Sequence, residues 1–277
     1  MTEMEASVAR FAAMGTRVEL HLFGCDDPAA LAAARAAIHS VEDALTIHRP
    51  SPATALNDAL SRGRSTVVED RLLFGALLQV DALWRETGGL FDPSLGSWSS
   101  LTIDPASRQV STDRPLTFDF GGFGKGHGLD HAVTALRAMG VTSALLSAGE
   151  SSIAVLGQHP LGGGWPLAVP HPEDEGAWLV ELELQGASLS ISSTIGTGAS
   201  KPGRAAMIRP TDGAIVTTPA TAVAAAATGA EAEALSTALL VADPAARERL
   251  RATAPDYRFL FPHAAPVGAE RALEPTA

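Results

Sequence analysis

Apolar and polar positions alternate from residue 17 to 23, the two-residue period of a strand with one buried face. Asp27 and Pro28 then supply an N-cap followed by proline at the first helical position. Leu31, Ala34, Ile38, Val41 and Leu45 recur as one apolar stripe, so a helix follows, with His39 off the stripe and solvated. A polar, proline-containing connection over 48–63 leads to a second helix, with Leu73, Leu77, Val80 and Trp84 on one side and Gly88-Gly89 closing it. Residues 116–120 alternate like a strand, after which Leu129, Val133, Leu136 and Met139 return to helical spacing. Short strands are predicted at 143–147, 152–156, 166–169, 178–184 and 187–192, separated by glycine, proline and acidic turns. The small-residue run 221–228 precedes a last helix, which Thr228 and Glu231 open with capping-box spacing and which runs through Val241. Strands and helices mix without strict alternation, which predicts an α+β fold rather than a doubly wound sheet.

Length and charge narrow the function classes. The 277 residues suffice for a large core, no internal repeat is visible, and the tail over 263–277, rich in alanine, proline and glycine, is expected to be poorly ordered. With 31 acidic residues against 20 basic ones, the net charge of −11 argues against nucleic acid or an anionic membrane as partner. An anionic ligand then needs a local basic or metal-bearing site. A single cysteine, Cys25, leaves no intramolecular disulfide and no multi-cysteine metal site. No targeting segment or membrane-length apolar window is read, so the expected location is cytoplasmic.

The candidate chemistry centres on residues 118–130, where Gly121, Gly122, Gly124, Gly126 and Gly128 surround Lys125 between the strand-like and helix-like runs. Such a loop brings backbone N–H groups to an anion at a helix N-terminus, with Lys125 as countercharge. It is no Walker A loop, because Gly126 follows the lysine and Asp119 stands six positions before it, and the dinucleotide-binding spacing also fails. A connection that merely packs a helix tightly on a sheet explains the same glycines equally well. In the last helix Glu233 and Thr237 stand four apart on one face, hard oxygen donors suited to Mg²⁺ or Ca²⁺, or else a solvated surface pair. The turn over 147–152 and the hydroxyl-rich stretch over 190–197 are open to either a ligand-binding or a structural reading. His127 and His131 have no serine or cysteine motif beside them, so no nucleophilic triad stands out.

In their order along the chain these pieces resemble the ApbE family of FAD:protein FMN transferases, over about 11–261. Met14-Gly15-Thr16 is similar to the family's opening Met-Gly-Thr, Leu56-Asn57 to its Leu-Asn, and Gly89-Leu90-Phe91-Asp92-Pro93 to its Gly-x-Phe-Asp-Pro. Residues 118–130 resemble its Asp-Leu-Gly-Gly-x-Ala-Lys-Gly-x-x-x-Asp, 146–150 its Gly-Gly-Asp turn, Pro210-Thr211-Asp212-Gly213 its Pro-x-Thr-Gly, and 232–238 its Ala-Asp-Ala-x-x-Thr-Ala.

The resemblance implies one ApbE-type, T-fold-like α+β domain over 1–277, of two lobes with a flavin cleft between them. It implies FAD and Mg²⁺ as ligands, and an acceptor protein whose Thr or Ser takes the FMN half as AMP leaves. By position, Gly124, Glu233 and Thr237 would hold the metal, and Lys125 joins Glu233 and Thr237 as catalytic. FAD contacts fall to Met14, Gly15, Thr16, Asp119, Gly122, Lys125, Ala148, Gly149, Glu150, Thr194, Ile208 and Arg209, with His48 near the family's aromatic position over the flavin ring. The chain departs from the pattern where His-Ile-x-Asp-Pro becomes Ala206-Met207-Ile208-Arg209-Pro210, losing a histidine and gaining an arginine able to meet a phosphate. Glu233 also replaces an aspartate, and Ser192-Ser193-Thr194 stands for Thr-Ser-Gly. A flavin-binding protein without catalysis, or an FAD pyrophosphatase that uses water, are the competing expectations.

Overall fold

The computed structural model describes residues 6–172, 174, 176–194 and 207–263. Ala206, residues 195–197 of the hydroxyl-rich stretch, and the tail over 264–277 lie outside them. The first half comprises β1 (Ala6–Ala13), β2 (Thr16–Phe23), α1 (Pro28–Leu45), α2 (Pro52–Leu60), β3 (Thr66–Val67), α3 (Arg71–Glu86), β4 (Leu101–Asp104) and β5 (Gln109–Thr112). Then follow α4 (Gly124–Ala138), β6 (Ser143–Ala148), β7 (Ser152–Leu156), β8 (Trp165–Pro170), β9 (Trp178–Leu184) and β10 (Ser188–Ser193). The last elements are β11 (Met207–Ile208), β12 (Ile215–Val216), β13 (Ala220–Ala226), α5 (Gly229–Val241), α6 (Pro244–Ala252) and β14 (Arg258–Pro262).

Seven strands make one sheet in the order β1-β2-β6-β7-β10-β13-β14, with every neighbouring pair antiparallel. Alternation sets its faces: Val18, Leu20 and Leu22 of β2 are buried against Ala34 and Ile38 of α1 and Leu129 and Leu136 of α4. The small-residue run becomes β13 because that strand is covered on both sides. Ala220, Ala222 and Ala224 meet Leu235 and Leu239 of α5, whereas Val223 and Ala225 meet Trp165, Val169 and Leu184 of the β8–β9 hairpin. Alanine keeps the α5 backbone close to the sheet. A second lobe joins α2, α3 and the antiparallel sheet β3-β5-β4 around Trp98, Phe118, Phe120 and Phe123, with the C-terminal end of α1 packed into it.

Several expectations are corrected. The connection over 48–63 contains α2, opened by a Ser51–Thr54 capping box and anchored by Leu56 and Leu60, a helix too short for its stripe to stand out. Strand β1 and the β4–β5 hairpin were not foreseen. His39 is half-buried rather than solvated, its ring 5.3 Å from that of Phe11 and its Nδ1 3.4 Å from Glu42. Residues 116–120 form no strand; in place of a ladder, the Asn57 side chain donates to the Phe118 carbonyl (2.9 Å) and accepts from its N–H (2.7 Å). Among the described residues no helix is long and apolar enough to cross a membrane.

Candidate functional site

The glycine segment is a turn and then a helix, not one loop. Asp119 accepts from the Gly121 N–H at 2.8 Å, and the Phe120 carbonyl accepts from Phe123 and Gly124 at 2.9 and 2.8 Å, so the chain winds directly into α4 at Gly124. None of Gly121, Gly122, Gly124, Gly126 and Gly128 has positive φ. The glycines serve close approach instead: a Cβ on Gly126 would lie 2.2 Å from the Gly229 carbonyl oxygen and 2.7 Å from Glu233 Cγ, and one on Gly128 2.5 Å from the Met14 methyl. At the mouth, Gly122 and Gly124 have no such crowding.

Side-chain caps satisfy the N-termini of α1, α2, α3, α5 and α6 through Asp27, Ser51, Asp70, Thr228 and Asp243. Among the described α-helices α4 alone has none, because its N-cap position is Phe123, which is fully buried among the aromatics. The Gly124 N–H is taken by the Phe120 carbonyl, and the N–H groups of Lys125 and Gly126 have no acceptor among the described residues, which leaves them as orphan donors. Lys125 Nζ lies 3.2 Å from Glu233 Oε1, and the Ser152 hydroxyl donates to that same oxygen. Glu233 is only 4 % exposed, which rules out the solvated-pair reading. Thr237 is one turn further along α5, and a Cβ on Gly122 would be 3.9 Å from its hydroxyl. The central turn and α5, more than a hundred residues apart in sequence, thus adjoin.

The other end of the sheet's β1–β2 connection closes the site. Met14 and Gly15 turn with φ of 53° and 69°, and the Met14 N–H is held by Glu42 Oε1 at 2.7 Å. Thr16 packs on Gly149, whose N–H donates to the Arg17 carbonyl at 2.9 Å, and Glu150 reaches Arg17 at 2.7 Å. Met14, Gly15, Glu42, His48, Asp119, Gly124 and Lys125 line one cavity of about 250 Å³. Gly15 and Glu42 also border a wider hollow of about 680 Å³ along β1. Glu42 carried no signal in the sequence, where it is simply a polar residue beside an apolar stripe.

Three expected FAD contacts are otherwise engaged. The Thr194 hydroxyl accepts from the Ala220 N–H at 2.8 Å and donates to the Thr218 carbonyl at 3.0 Å, fastening β10 to β13. Ile208 sits in the two-residue β11, paired with Ile215. Arg209 donates to the Val241 carbonyl at 2.7 Å and to Asp212 at 2.9 Å, capping the C-terminal end of α5. Its guanidinium is held at that helix end.

Two titratable groups on α4 are strongly perturbed. Burial pushes Asp130 up to about 6, over the opposing pull of the Gly229 and Ala230 N–H groups that it accepts at 2.6 and 2.9 Å. Burial, reinforced by His131, holds His127 down to about 3, so it is neutral, stacked on Phe123 at 4.7 Å and 2.9 Å from Gln79 Oε1. Neither residue faces the cavity.

The ApbE family model matches residues 14–113 and 97–261. No curated protein matches the sequence. Solved structures agree in fold over almost the whole chain. The ApbE protein of Thermotoga maritima aligns with a TM-score of 0.78 at 17 % identity, over 93 % of this chain and 94 % of its own. The flavin transferase ApbE of Vibrio cholerae gives 0.77 at 17 %, over 94 % and 97 %, and the flavinyl transferase ApbE of Pseudomonas stutzeri, in its apo form, gives 0.77 at 19 %, over 95 % and 96 %.

Proposed function

The chain belongs to the ApbE family, and from that premise we propose that it is a flavin transferase that passes the FMN half of FAD to a Thr or Ser hydroxyl of an acceptor protein and releases AMP. The observation that carries this reading is that Gly124 and Lys125, at the uncapped start of α4, line one cavity while Lys125 also touches the buried Glu233 of α5, one turn before Thr237. Orphan N–H donors and an ammonium group suit a diphosphate, and in a chain of net charge −11 they form a local exception.

Magnesium fits the donors here. Glu233 offers a carboxylate, Thr237 a hydroxyl and Gly124 a main-chain carbonyl, all hard oxygens, although among the described residues no three His, Cys, Asp or Glu side chains cluster for a metal. A sparse protein set suits an ion that keeps waters and takes phosphate oxygens; when bound, it would neutralise charge on the diphosphate. The protein's own part is positional. The α4 N–H groups and Lys125 hold the phosphates, so that the acceptor oxygen bonds to the FMN phosphorus while the bond to the AMP oxygen breaks. The acceptor hydroxyl loses its proton and AMP leaves as the free monophosphate.

The purified chain, incubated with FAD, Mg²⁺ and a candidate acceptor, is expected to release AMP and to leave flavin fluorescence on the acceptor in denaturing gels. AMP without a labelled acceptor would make water the nucleophile. FAD binding without AMP would make the chain a silent flavin binder.

A further inference from the structure

Glu233 is a buried carboxylate, and such a group needs partners. Among the described residues it has two, Lys125 and Ser152, both on Oε1. On the proposed function, on which this inference rests, Lys125 is shared with the ligand's phosphates. The Ser152 hydroxyl is then the contact that keeps the carboxylate in place throughout. Ser152 is 1 % exposed, at the first position of β7, and its register partner on β10 is Ser190, which is also fully buried. Behind Glu233 the Ser236 hydroxyl lies 3.0 Å from Ser190 Oγ, 2.8 Å from Ser192 Oγ and 3.1 Å from the Glu233 carbonyl oxygen. This seam of hydroxyls is the polar exception on a helix face otherwise packed with alanine and leucine.

We propose that Ser152 is a positioning residue for the Mg²⁺–diphosphate site: its hydroxyl aims the Glu233 carboxylate. The longer glutamate side chain makes this aim necessary. Its Cγ runs beside Gly126, and without a donor on Oε1 the carboxylate has an extra torsion through which to turn. Partners that orient a metal-binding carboxylate typically change affinity or activity about 10–100-fold when removed.

The test compares Ser152→Ala with Ser190→Ala, two equally buried serines of one seam, of which only the first touches Glu233. Two readouts are taken: the Mg²⁺ concentration that half-saturates the thermal upshift of the protein with excess FAD, and kcat and KM for FAD. The expected result for Ser152→Ala is a rise of about tenfold or more in the Mg²⁺ midpoint and a matching fall in kcat, with KM for FAD within about twofold of wild type. Ser190→Ala should lower the melting temperature while leaving the Mg²⁺ midpoint unchanged. Equal effects of both substitutions on that midpoint would reduce Ser152 to a packing role and overturn the proposal, as would a wild-type midpoint in Ser152→Ala. A wild-type chain with no Mg²⁺- and FAD-dependent upshift would instead remove the functional reading itself, and this proposal with it.

Discussion

Lys125 lies 3.2 Å from the Glu233 carboxylate, and the proposed function sets a second negative group, the ligand's phosphates, on its other side. Alone in the turn it carries a full positive charge, so its removal should separate phosphate recognition from ring recognition. Lys125→Met keeps most of the aliphatic stem and its packing while deleting the charge. A charge-assisted contact contributes roughly 1.5–3 kcal/mol, so FAD affinity should fall about 10–100-fold. Riboflavin, which has no phosphate, should lose less than about twofold by that same logic. Fluorescence titrations of both ligands decide it, and equal losses would take the phosphate role away from Lys125. Arg209 illustrates the opposite case. Its sequence position suggests a phosphate ligand, and its guanidinium holds the Val241 carbonyl and Asp212, partners that only the path of the chain reveals.

Helix α4 links the site to both lobes, and its two buried titratable groups give it an opposed pH response. Asp130 has a folded value of about 6 against an ordinary 3.8, so the folded state binds the extra proton. Its stabilising contribution is full below pH 3.8 and is lost as pH rises through 6. His127 has a folded value of about 3 against 6.5; its contribution is present above pH 6.5 and is lost as pH falls toward 3. Asp130→Asn removes only the first effect. In urea denaturation between pH 6 and 4 the variant should therefore lose more stability on acidification than wild type does, by at most about 1.4 kcal/mol per pH unit. The reverse order would mean that the two N–H groups of α5 outweigh burial and hold Asp130 ionised. At this scale β6, β7, β9 and α5 stand within a residue of their expected bounds, whereas β1 and the β4–β5 hairpin escaped the local pattern. The sequence misled where tertiary contacts replace local pattern. Residues 116–120 alternate but are tied by the Asn57 amide, and Gly124, Gly126 and Gly128, read as a loop, are helical, with α5 against Gly126 and Met14 against Gly128.

At the scale of the molecule, Lys125 and the uncapped start of α4 are a local exception on a strongly acidic chain, with Glu42, Asp119 and Glu233 around them. The order of motifs was legible in the sequence, but their meeting was not: it depends on β13 being slim enough for α5 to lie against the sheet and reach the α4 turn. That geometry sets two electrostatic ranges against each other. FAD is anionic, and a chain of net charge −11 repels it at long range, whereas Lys125 and the α4 N–H groups attract it within a few ångströms. Salt distinguishes the ranges, because the screening length shortens from about 30 Å at 0.01 M to about 10 Å at 0.1 M, which suppresses the distant repulsion and leaves close contacts in a partly buried site largely intact. The association rate for FAD, followed by stopped-flow flavin fluorescence, should therefore rise severalfold as monovalent salt goes from about 0.01 to 0.3 M. Dissociation should change little. Riboflavin, being uncharged, should show no such rise. A falling rate for FAD would mean that the positive mouth outweighs the acidic surface even at a distance, and that the ligand is steered into the cleft rather than admitted against repulsion.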